Sequence, residues 1–410
     1  MTAPVIIVGG GPAGSSTAWH VARTGAGADV VVLDRARFPR DKPCAEYLSP
    51  EASRVLASMD ALAACEAAGA AQLSGMVVRS PNGAQLRGDF AAAHGFSGFR
   101  DRGLALRRTV LDAILLDRAR AAGARVVEGV RVTDVVRDAG GAVAGVRTLD
   151  DAGRARAWPA SLVIGADGLR SVVARRLGLL RQHRLPRRIA MIAHYRGVHG
   201  VSAYGEMLVE RDGYAGIADV GDGLTNVAGV APAAQVRAAA ATPEQFFDRW
   251  LAAHPHIAAR VAKARRVDGV RATGPFAQHA RRAWVSGAAL VGDAADFFDP
   301  FTGEGIYAAL RGGELLAPHV ATALAARSRR ERDAALALYD RERRRAFAGK
   351  WRVERLVGLA VSQPWLMNRA GTARARRKDM ADLFVGVARD FVPPREILSV
   401  RFLLRLLATS

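Results

Sequence analysis

Cysteine is scarce in this chain, since Cys44 and Cys65 are the only two among 410 residues. Two thiols are too few for a disulfide framework or a structural zinc site, so we expect both to be reduced and predict no metal site. Long apolar runs are also missing: although 50% of the residues are hydrophobic, no run approaches the ~20 residues of a membrane-spanning helix. The first apolar strand begins almost at once, which leaves no room for a signal peptide and predicts a cytoplasmic protein.

Lysine is rare as well, because four of the 59 basic residues are lysines and the rest are arginines. The formal net charge of +20 raises the hypothesis of a nucleic-acid or anionic membrane partner. The arginines are spread over the whole length without a recognised nucleic-acid module, so we expect no nucleic-acid partner. The tail from Ile397 to Leu407 interleaves leucines with Arg401 and Arg405. This pattern is typical of an interfacial helix in peripheral membrane contact, and also of a closing helix packed on the core.

The first fifty residues carry the most specific pattern. Val5 to Val8 form a short apolar strand that runs into a turn with Gly9, Gly11 and Gly14, and a second apolar strand ends at Asp34. In a strand–helix–strand nucleotide fingerprint, the first glycine permits the tight turn, the second leaves room for a pyrophosphate and the third lets the helix pack on the sheet. An acid at the end of the second strand accepts hydrogen bonds from a ribose and disfavours a 2′-phosphate. The pattern therefore predicts bound FAD or NAD rather than NADP.

The rest of the chain predicts a second sheet and a helical end. Prolines forbid a helix or central strand over Phe38 to Pro50, so we expect an ordered loop there. Residues 73–86 read as a strand pair, 104–122 as a helix, 130–160 as a three-stranded meander and 188–230 as an antiparallel sheet. The predicted fold is α/β, with a Rossmann-type nucleotide-binding domain, a second antiparallel-sheet domain that binds substrate and C-terminal helices. The predicted nucleotide-binding domain comprises residues 1–72, 100–180 and 272–330. The predicted substrate domain comprises 73–99 and 181–271, and the helical region comprises 331–410.

Three strand ends carry matching signals. They are Gly9 to Gly14, Asp167-Gly168, and Gly292-Asp293 with the following Pro300 to Gly305, and ligands bind at such strand ends in open α/β sheets. In this order they resemble the FAD-dependent monooxygenases of the para-hydroxybenzoate hydroxylase fold, and within them the geranylgeranyl reductase-like branch. The loop from Phe38 to Glu46 is similar to that branch's loop, except that Ala45 stands where glycine is typical. The resemblance covers roughly residues 4 to 325.

The resemblance implies which residues contact FAD. The implied contacts are Gly9, Gly11, Ala13 and Gly14 at the pyrophosphate, Asp34 and Arg35 at the adenosine half, Arg108 between the two halves, Asp167 and Gly168 in a motif shared with the nicotinamide cofactor, Asp293 at the ribityl chain, and Pro300, Gly303, Gly305 and Ile306 at the pyrimidine end. The alternative for Asp167 and Asp293 is a purely structural cap at a strand end.

The sequence constrains the reaction less tightly than it constrains the cofactor. In this family NADPH or NADH, or a partner reductase, reduces the flavin, which then activates O₂ or passes hydride to a double bond. The resemblance of fold and the departure at Ala45 together favour a monooxygenase, either a hydroxylase or an epoxidase, acting on a hydrophobic aromatic or isoprenoid-like molecule. The alternatives are an ene-reductase of prenyl chains and a flavin- or nucleic-acid-binding protein without turnover, while the halogenase-type W-x-W-x-I-P is missing. The candidate catalytic residues are Glu46 and Tyr47, as proton donors, and Cys44, which is otherwise a small buried hydrophobe.

Overall fold

The computed structural model describes residues 3–91, 95–183, 187–375, 378–388 and 391–398. Nearly all of the predicted interfacial tail, from Ile397 to Leu407, lies outside these residues. The strands, in chain order, are β1 (Val5–Val8), β2 (Val30–Leu33), β3 (Tyr47–Leu48), β4 (Ala71–Leu73), β5 (Gly75–Arg79), β6 (Gln85–Asp89), β7 (Gly103–Ala105), β8 (Arg125–Val127), β9 (Val130–Arg137), β10 (Val143–Asp150), β11 (Ala155–Pro159), β12 (Leu162–Gly165), β13 (Leu180–Gln182), β14 (Arg188–Arg196), β15 (Tyr204–Glu210), β16 (Gly213–Asp219), β17 (Thr225–Pro232), β18 (Arg265–Arg266), β19 (Arg271–Thr273), β20 (Gln278–Ala280), β21 (Trp284–Val285), β22 (Ala288–Leu290) and β23 (Asp296–Phe297).

The helices are α1 (Pro12–Ala22), α2 (Pro50–Ser58), α3 (Leu62–Ala67), α4 (Arg108–Ala121), α5 (Val172–Arg176), α6 (Ala233–Ala238), α7 (Pro243–Ala252), α8 (Pro255–Val261), α9 (Gly305–Ala325), α10 (Arg329–Val361), α11 (Pro364–Ala375), α12 (Lys378–Ala388) and α13 (Arg395–Leu398), with 3₁₀ turns at Gly292–Ala294 and Pro300–Thr302. The helix predicted over 104–122 begins only at Arg108. The residues before it form β7, which pairs with β3 and β4 and thus holds the chain extended.

The first sheet has the order β21-β22-β12-β1-β2-β8 and is parallel except for the β21–β22 pair at one edge. Its central strands are apolar at every position and fully buried, as expected for a parallel sheet covered on both faces. Helix α1 packs closely against α9 beside this sheet. The meander predicted over 130–160 is confirmed as β9, β10 and β11, which pair antiparallel.

The second sheet, which we call the roof sheet, has the order β18-β14-β17-β16-β15-β5-β6, with β19 pairing to β14. It is antiparallel except where β5 runs parallel to β15. Helix α10 reaches it, because Val353, Val357 and Val361 join one buried cluster with Ile192 and Val230 of the roof sheet. The predicted α/β class, with a parallel nucleotide-type sheet, a largely antiparallel second sheet and C-terminal helices, is therefore confirmed. In the described residues no helix is both long enough and apolar enough to cross a bilayer.

Candidate functional site

A cavity of about 530 Å³ lies between the carboxyl ends of the parallel strands and the inner face of the roof sheet. The turn after β1, the segment after β12 and the start of α9 line one side, and strands β14 to β17 line the other. Every residue predicted to contact a cofactor or to take part in catalysis lines this cavity except Gly14. The three strand-end signals of the sequence therefore meet at one place.

The glycine turn explains why Gly14 is outside the cavity. A Cβ on Gly14 would lie 1.8 Å from the carbonyl oxygen of Gly9, so the residue is needed beneath the turn, where α1 crosses the end of β1. Gly9 itself has a φ of +102°, which other residues rarely adopt. Asp34 accepts hydrogen bonds from the N–H groups of Gly10, at 2.7 Å, and Ala36, at 2.8 Å. The acid thus fixes the turn and stands beside the N-terminus of α1.

Two guanidinium groups face the open side of this turn. Arg108 donates to both carboxylate oxygens of Asp112 at 2.7 Å, and Arg40 pairs with the same carboxylate at 2.8 Å. A Cβ on Gly11 would lie 3.2 Å from Nη2 of Arg40 and 3.9 Å from Nη2 of Arg108. Together with the N–H groups and positive dipole end of α1, this arrangement can bind a phosphate-bearing ligand. Sequence reasoning missed Arg40, whose only signal was its place in the prolyl loop.

Asp167 makes the contacts of a structural cap, which is the alternative to a cofactor contact that the sequence left open. Its carboxylate accepts from the hydroxyl of Ser171 at 2.6 Å and from the N–H groups of Val172 and Val173 at 2.6 and 3.3 Å, at the start of α5. Burial raises the pKa of this carboxyl group. Asp167 and Gly168 still line the cavity, so the capped turn contributes shape to the site.

Asp293 lies opposite Lys42 of the prolyl loop, with 3.8 Å between Oδ2 and Nζ. Burial raises the pKa of the Asp293 carboxyl group, and the Lys42 ammonium opposes that rise. Beyond Asp293, Gly303 adopts a left-handed φ of +70° that ends the turn Pro300–Thr302 and lets α9 begin at Gly305. The N-terminus of this long helix therefore faces the cavity, with a positive dipole end that favours negative charge there.

Glu46 is 1% exposed and its carboxylate has three hydrogen-bonding partners. It accepts from the N–H of Arg108 at 2.8 Å and from Nδ2 of Asn226 at 3.1 Å, and it lies 2.7 Å from Nε2 of His194. Nδ1 of His194 lies 2.7 Å from Asp268. This Glu46–His194–Asp268 cluster ties the prolyl loop to the start of α4 and to strands β14 and β17 of the roof sheet.

The outer end of the cluster is a network of opposite charges. Asp41 and His194 lie close enough to Asp268 to hold a metal ion. Arg271 and Arg107, however, already contact both carboxylates, at 2.9 to 3.4 Å. The arginines therefore supply the positive charge that an ion would bring.

The backbone of Ala45 does not adopt a conformation that requires glycine. The left-handed φ in this loop, +61°, falls on Glu46 instead, and Ala45 is not among the described residues with positive φ. The departure at Ala45 therefore introduces no backbone strain, which removes one of the two reasons for preferring a monooxygenase and leaves the resemblance to monooxygenases.

Cys44 and Tyr47, the other two candidate catalytic residues, both make contacts within the protein. Sγ of Cys44 accepts from the N–H of Glu46 at 3.3 Å, and burial raises the pKa of the thiol. Tyr47 is 5% exposed, and its ring lies 6.4 Å from that of Phe90 with 41° between the planes. Both line the cavity, and their catalytic roles, like that of Glu46, stay predictions.

Most of the roof side of the cavity is apolar. Its apolar or small lining residues are Met76, Ala190, Ile192, Met207, Gly216, Ala228 and Val230, with Phe301 of the turn before α9 also in the lining. The polar lining residues of β15 and β17 are Glu206, which is bound by Arg260, and Asn226, which donates to Glu46. Tyr214 also lines it, but its hydroxyl donates to Asp299 at 2.7 Å, and Arg188 donates to the same carboxylate at 2.6 Å. One end of the cavity is thus charged and glycine-rich, and the other suits a hydrocarbon ligand.

These features fit FAD. The glycine turn leaves space where a Cβ would block a pyrophosphate, Arg40 and Arg108 face that space, and the N-terminus of α9 lies farther along the same cavity. The spacing of charged, small and apolar groups matches a ligand with a central diphosphate and an aromatic end.

A profile of the family described as an FAD binding domain matches residues 2–353. The menaquinone reductase of Mycolicibacterium smegmatis is 31% identical over 77% of this chain and 75% of its own length. The digeranylgeranylglycerophospholipid reductase 2 of Methanopyrus kandleri is 30% identical over 78% and 77%. Conditioned medium factor receptor 1 of Dictyostelium discoideum is 28% identical over 76% of this chain, which spans 62% of that longer protein.

Solved structures agree on the architecture. The flavin-dependent brominase Bmp2 superposes with a TM-score of 0.82 at 19% identity, covering 98% of both chains. The myxobacterial chondrochloren halogenase CndH gives a TM-score of 0.80 at 23% identity, covering 94% of this chain and 92% of its own. At such low identity these likenesses establish the fold alone.

Proposed function

The chain belongs to the FAD binding domain family and is an FAD-dependent oxidoreductase, and we propose that it reduces carbon–carbon double bonds in a prenyl-type chain. The observation that carries this proposal is the apolar roof over the charged half of the same cavity. Bound FAD would supply hydride transfer there, with electrons from NADPH or NADH or from a partner reductase.

The chain's own residues would hold FAD as follows. The N-terminus of α1, Arg40 and Arg108 would bind the pyrophosphate, and Asp34 would accept from the ribose. Asp293 would accept from the ribityl hydroxyls, and the start of α9 would face the pyrimidine end, where its positive dipole end favours the reduced, more negative cofactor. Burial under the roof sheet would keep water from the reacting atoms.

The substrate side supports a hydrocarbon chain over a compact polar molecule. Gly216 and Ala228 face each other across β16 and β17, since a Cβ on Gly216 would lie 3.8 Å from that of Ala228. Small and apolar side chains on the roof leave a slot in which a flexible hydrocarbon chain can lie. Menaquinone and digeranylgeranylglycerophospholipid, named in the two reductase relatives, both carry isoprenoid chains. Monooxygenation of a hydrophobic molecule is the alternative that the following experiment separates.

The test is product analysis by mass spectrometry after incubation of the FAD-loaded protein with a reductant and a prenyl glycerolipid, whose reducible groups are the carbon–carbon double bonds of its chains. We expect a product that has gained two hydrogen atoms and carries no label from ¹⁸O₂. A product that has gained an oxygen atom from ¹⁸O₂ would replace the proposal with monooxygenation.

Substitutions at Gly216 should separate substrate binding from cofactor binding. The nearest atoms to a Cβ at this position lie at 3.6 Å or more, so Gly216→Ala fits and should change kcat/KM little. Gly216→Leu extends into the slot, and we expect kcat/KM for a prenyl substrate to fall by at least about tenfold while FAD content is unchanged. Steady-state kinetics and flavin absorbance measure the two quantities. Equal kcat/KM values for the Ala and Leu variants would place the substrate elsewhere.

A further inference from the structure

A second cavity, of about 340 Å³, lies between α10 and the small sheet β13-β20-β23. We call it the basic cavity and define it by Arg281, Arg343, Arg344, Arg355 and the rings of His183 and His279. Strand β23 separates it from the flavin cavity, because Asp296 lines the basic cavity while the next residue, Phe297, lines the other. It is therefore a distinct site behind the wall of the first.

The residues that line the basic cavity carry more positive than negative charge. Asp296 is the one carboxylate among its described lining residues, and it is engaged by Arg343 and by Nε1 of Trp351, at 2.7 Å. Arg344 pairs with Asp340 at 3.0 Å, outside the lining. Arg343 also pairs with Asp340, at 3.8 Å. Within the described chain, Arg281 and Arg355 make no ion pair, so two guanidinium groups of the lining are available to bind an anion.

Flat rings stand next to these arginines. The imidazoles of His183 and His279 stack at 4.4 Å with 28° between their planes, and Phe298 meets His183 edge-on at 5.7 Å. Burial and the charge of Arg355 lower the pKa of both imidazoles, so they are neutral near pH 7. The wall thus offers flat rings beside the cationic groups.

We propose that the basic cavity binds a purine nucleoside diphosphate, with the phosphates on the arginines and the base against the histidine pair. Guanidinium groups match phosphate oxygens in geometry as well as charge, and flat rings bind bases by stacking. The cavity volume is within the usual range for small-molecule sites. The assignment is independent of the reaction proposed for the flavin cavity.

The test is isothermal titration calorimetry of the FAD-saturated protein with ADP, with pyrophosphate and with adenosine. Saturation with FAD keeps ADP out of the first cavity. We expect one ADP per chain and a Kd that rises by at least about tenfold for Arg281→Glu and for Arg355→Glu, because each places a carboxylate where a phosphate would lie. Both side chains are exposed and make no ion pair in the described chain, so the fold should be kept.

Arg330→Glu is the matched control, since Arg330 is exposed at the other end of α10 and undergoes the same change of charge. Binding of ADP by this control at wild-type affinity, with loss in the two cavity variants, supports the proposal. If pyrophosphate bound as tightly as ADP, the proposed contact between the base and the histidine pair would be wrong. Absence of ADP binding, or equal weakening in Arg330→Glu, would overturn the site.

Discussion

Gly14→Ala should yield a protein that purifies without the yellow colour of bound FAD. The added Cβ would lie 1.8 Å from the Gly9 carbonyl oxygen, and a backbone atom at the end of a buried strand cannot move aside as a side chain does. The N-terminus of α1 must therefore shift away from the turn and from the phosphates it binds. We expect the Kd for FAD to rise by at least about a hundredfold, or about 2.8 kcal/mol, measured by flavin fluorescence titration.

Gly269→Ala is the control for this substitution, because nothing lies within 4 Å of a Cβ there and its φ is not in the left-handed range. Arg40→Ala tests the same phosphate site if Gly14→Ala fails to fold. Asp112 keeps its contact with Arg108 in that variant, so we expect a folded protein with FAD binding weakened about tenfold. Wild-type FAD affinity in both Gly14→Ala and Arg40→Ala would refute the placement of the pyrophosphate.

His194→Leu should lower the free energy of unfolding by about 3 to 5 kcal/mol near pH 6, because it leaves Glu46 and Asp268 without the imidazole that separates them. The two carboxylates would then face each other across an apolar side chain, and the prolyl loop would lose its link to β14. His194→Gln, which retains one donor, should cost less. Urea unfolding followed by circular dichroism gives both values.

The stability difference should depend on pH with a definite sign. Burial alone would lower the pKa of His194, but Glu46 and Asp268 together raise it above its usual value. Its contribution is therefore complete below about pH 6.5, the unfolded pKa, and is lost as pH rises through the raised folded value. The pKa of Asp268 is lowered against the effect of burial by its bonds to His194, so its contribution is present above about pH 3.9 and is lost in stronger acid.

Asp41, Arg107 and Arg271 also face Asp268, but they are present in both the wild-type protein and the variant. We therefore expect the largest difference between wild type and His194→Leu from about pH 4 to about pH 6.5. The same difference at every pH would mean that His194 acts by packing and not by charge.

Local patterns in the sequence predicted the parts of the site that lie near one strand end. The turn from Gly9 to Gly14 and the acid at Asp34 have fixed spacing because each contact spans a single strand–helix–strand unit. The meeting of the three strand ends was also predictable, since parallel strands bring their carboxyl ends to one edge.

Contacts between distant segments were not predictable. His194 reaches Glu46 across 148 residues and Asp268 across 74, and no local pattern marks either pairing. The cap made by Asp167 looks the same in sequence as a ligand contact, because both need an acid at a strand end. Arg40 became recognisable only when its guanidinium was seen over Gly11 and beside Asp112.

Reduction of prenyl double bonds is measured most directly by anaerobic stopped-flow absorbance of the FAD-loaded, pre-reduced protein mixed with a prenyl glycerolipid. We expect the absorbance of oxidised flavin to return without O₂, in proportion to the double bonds reduced, and Gly216→Leu to slow this return. If the flavin stayed reduced with the prenyl glycerolipid until O₂ was admitted, and was then reoxidised with formation of an oxygenated product, the protein would be a monooxygenase and not a reductase of prenyl double bonds.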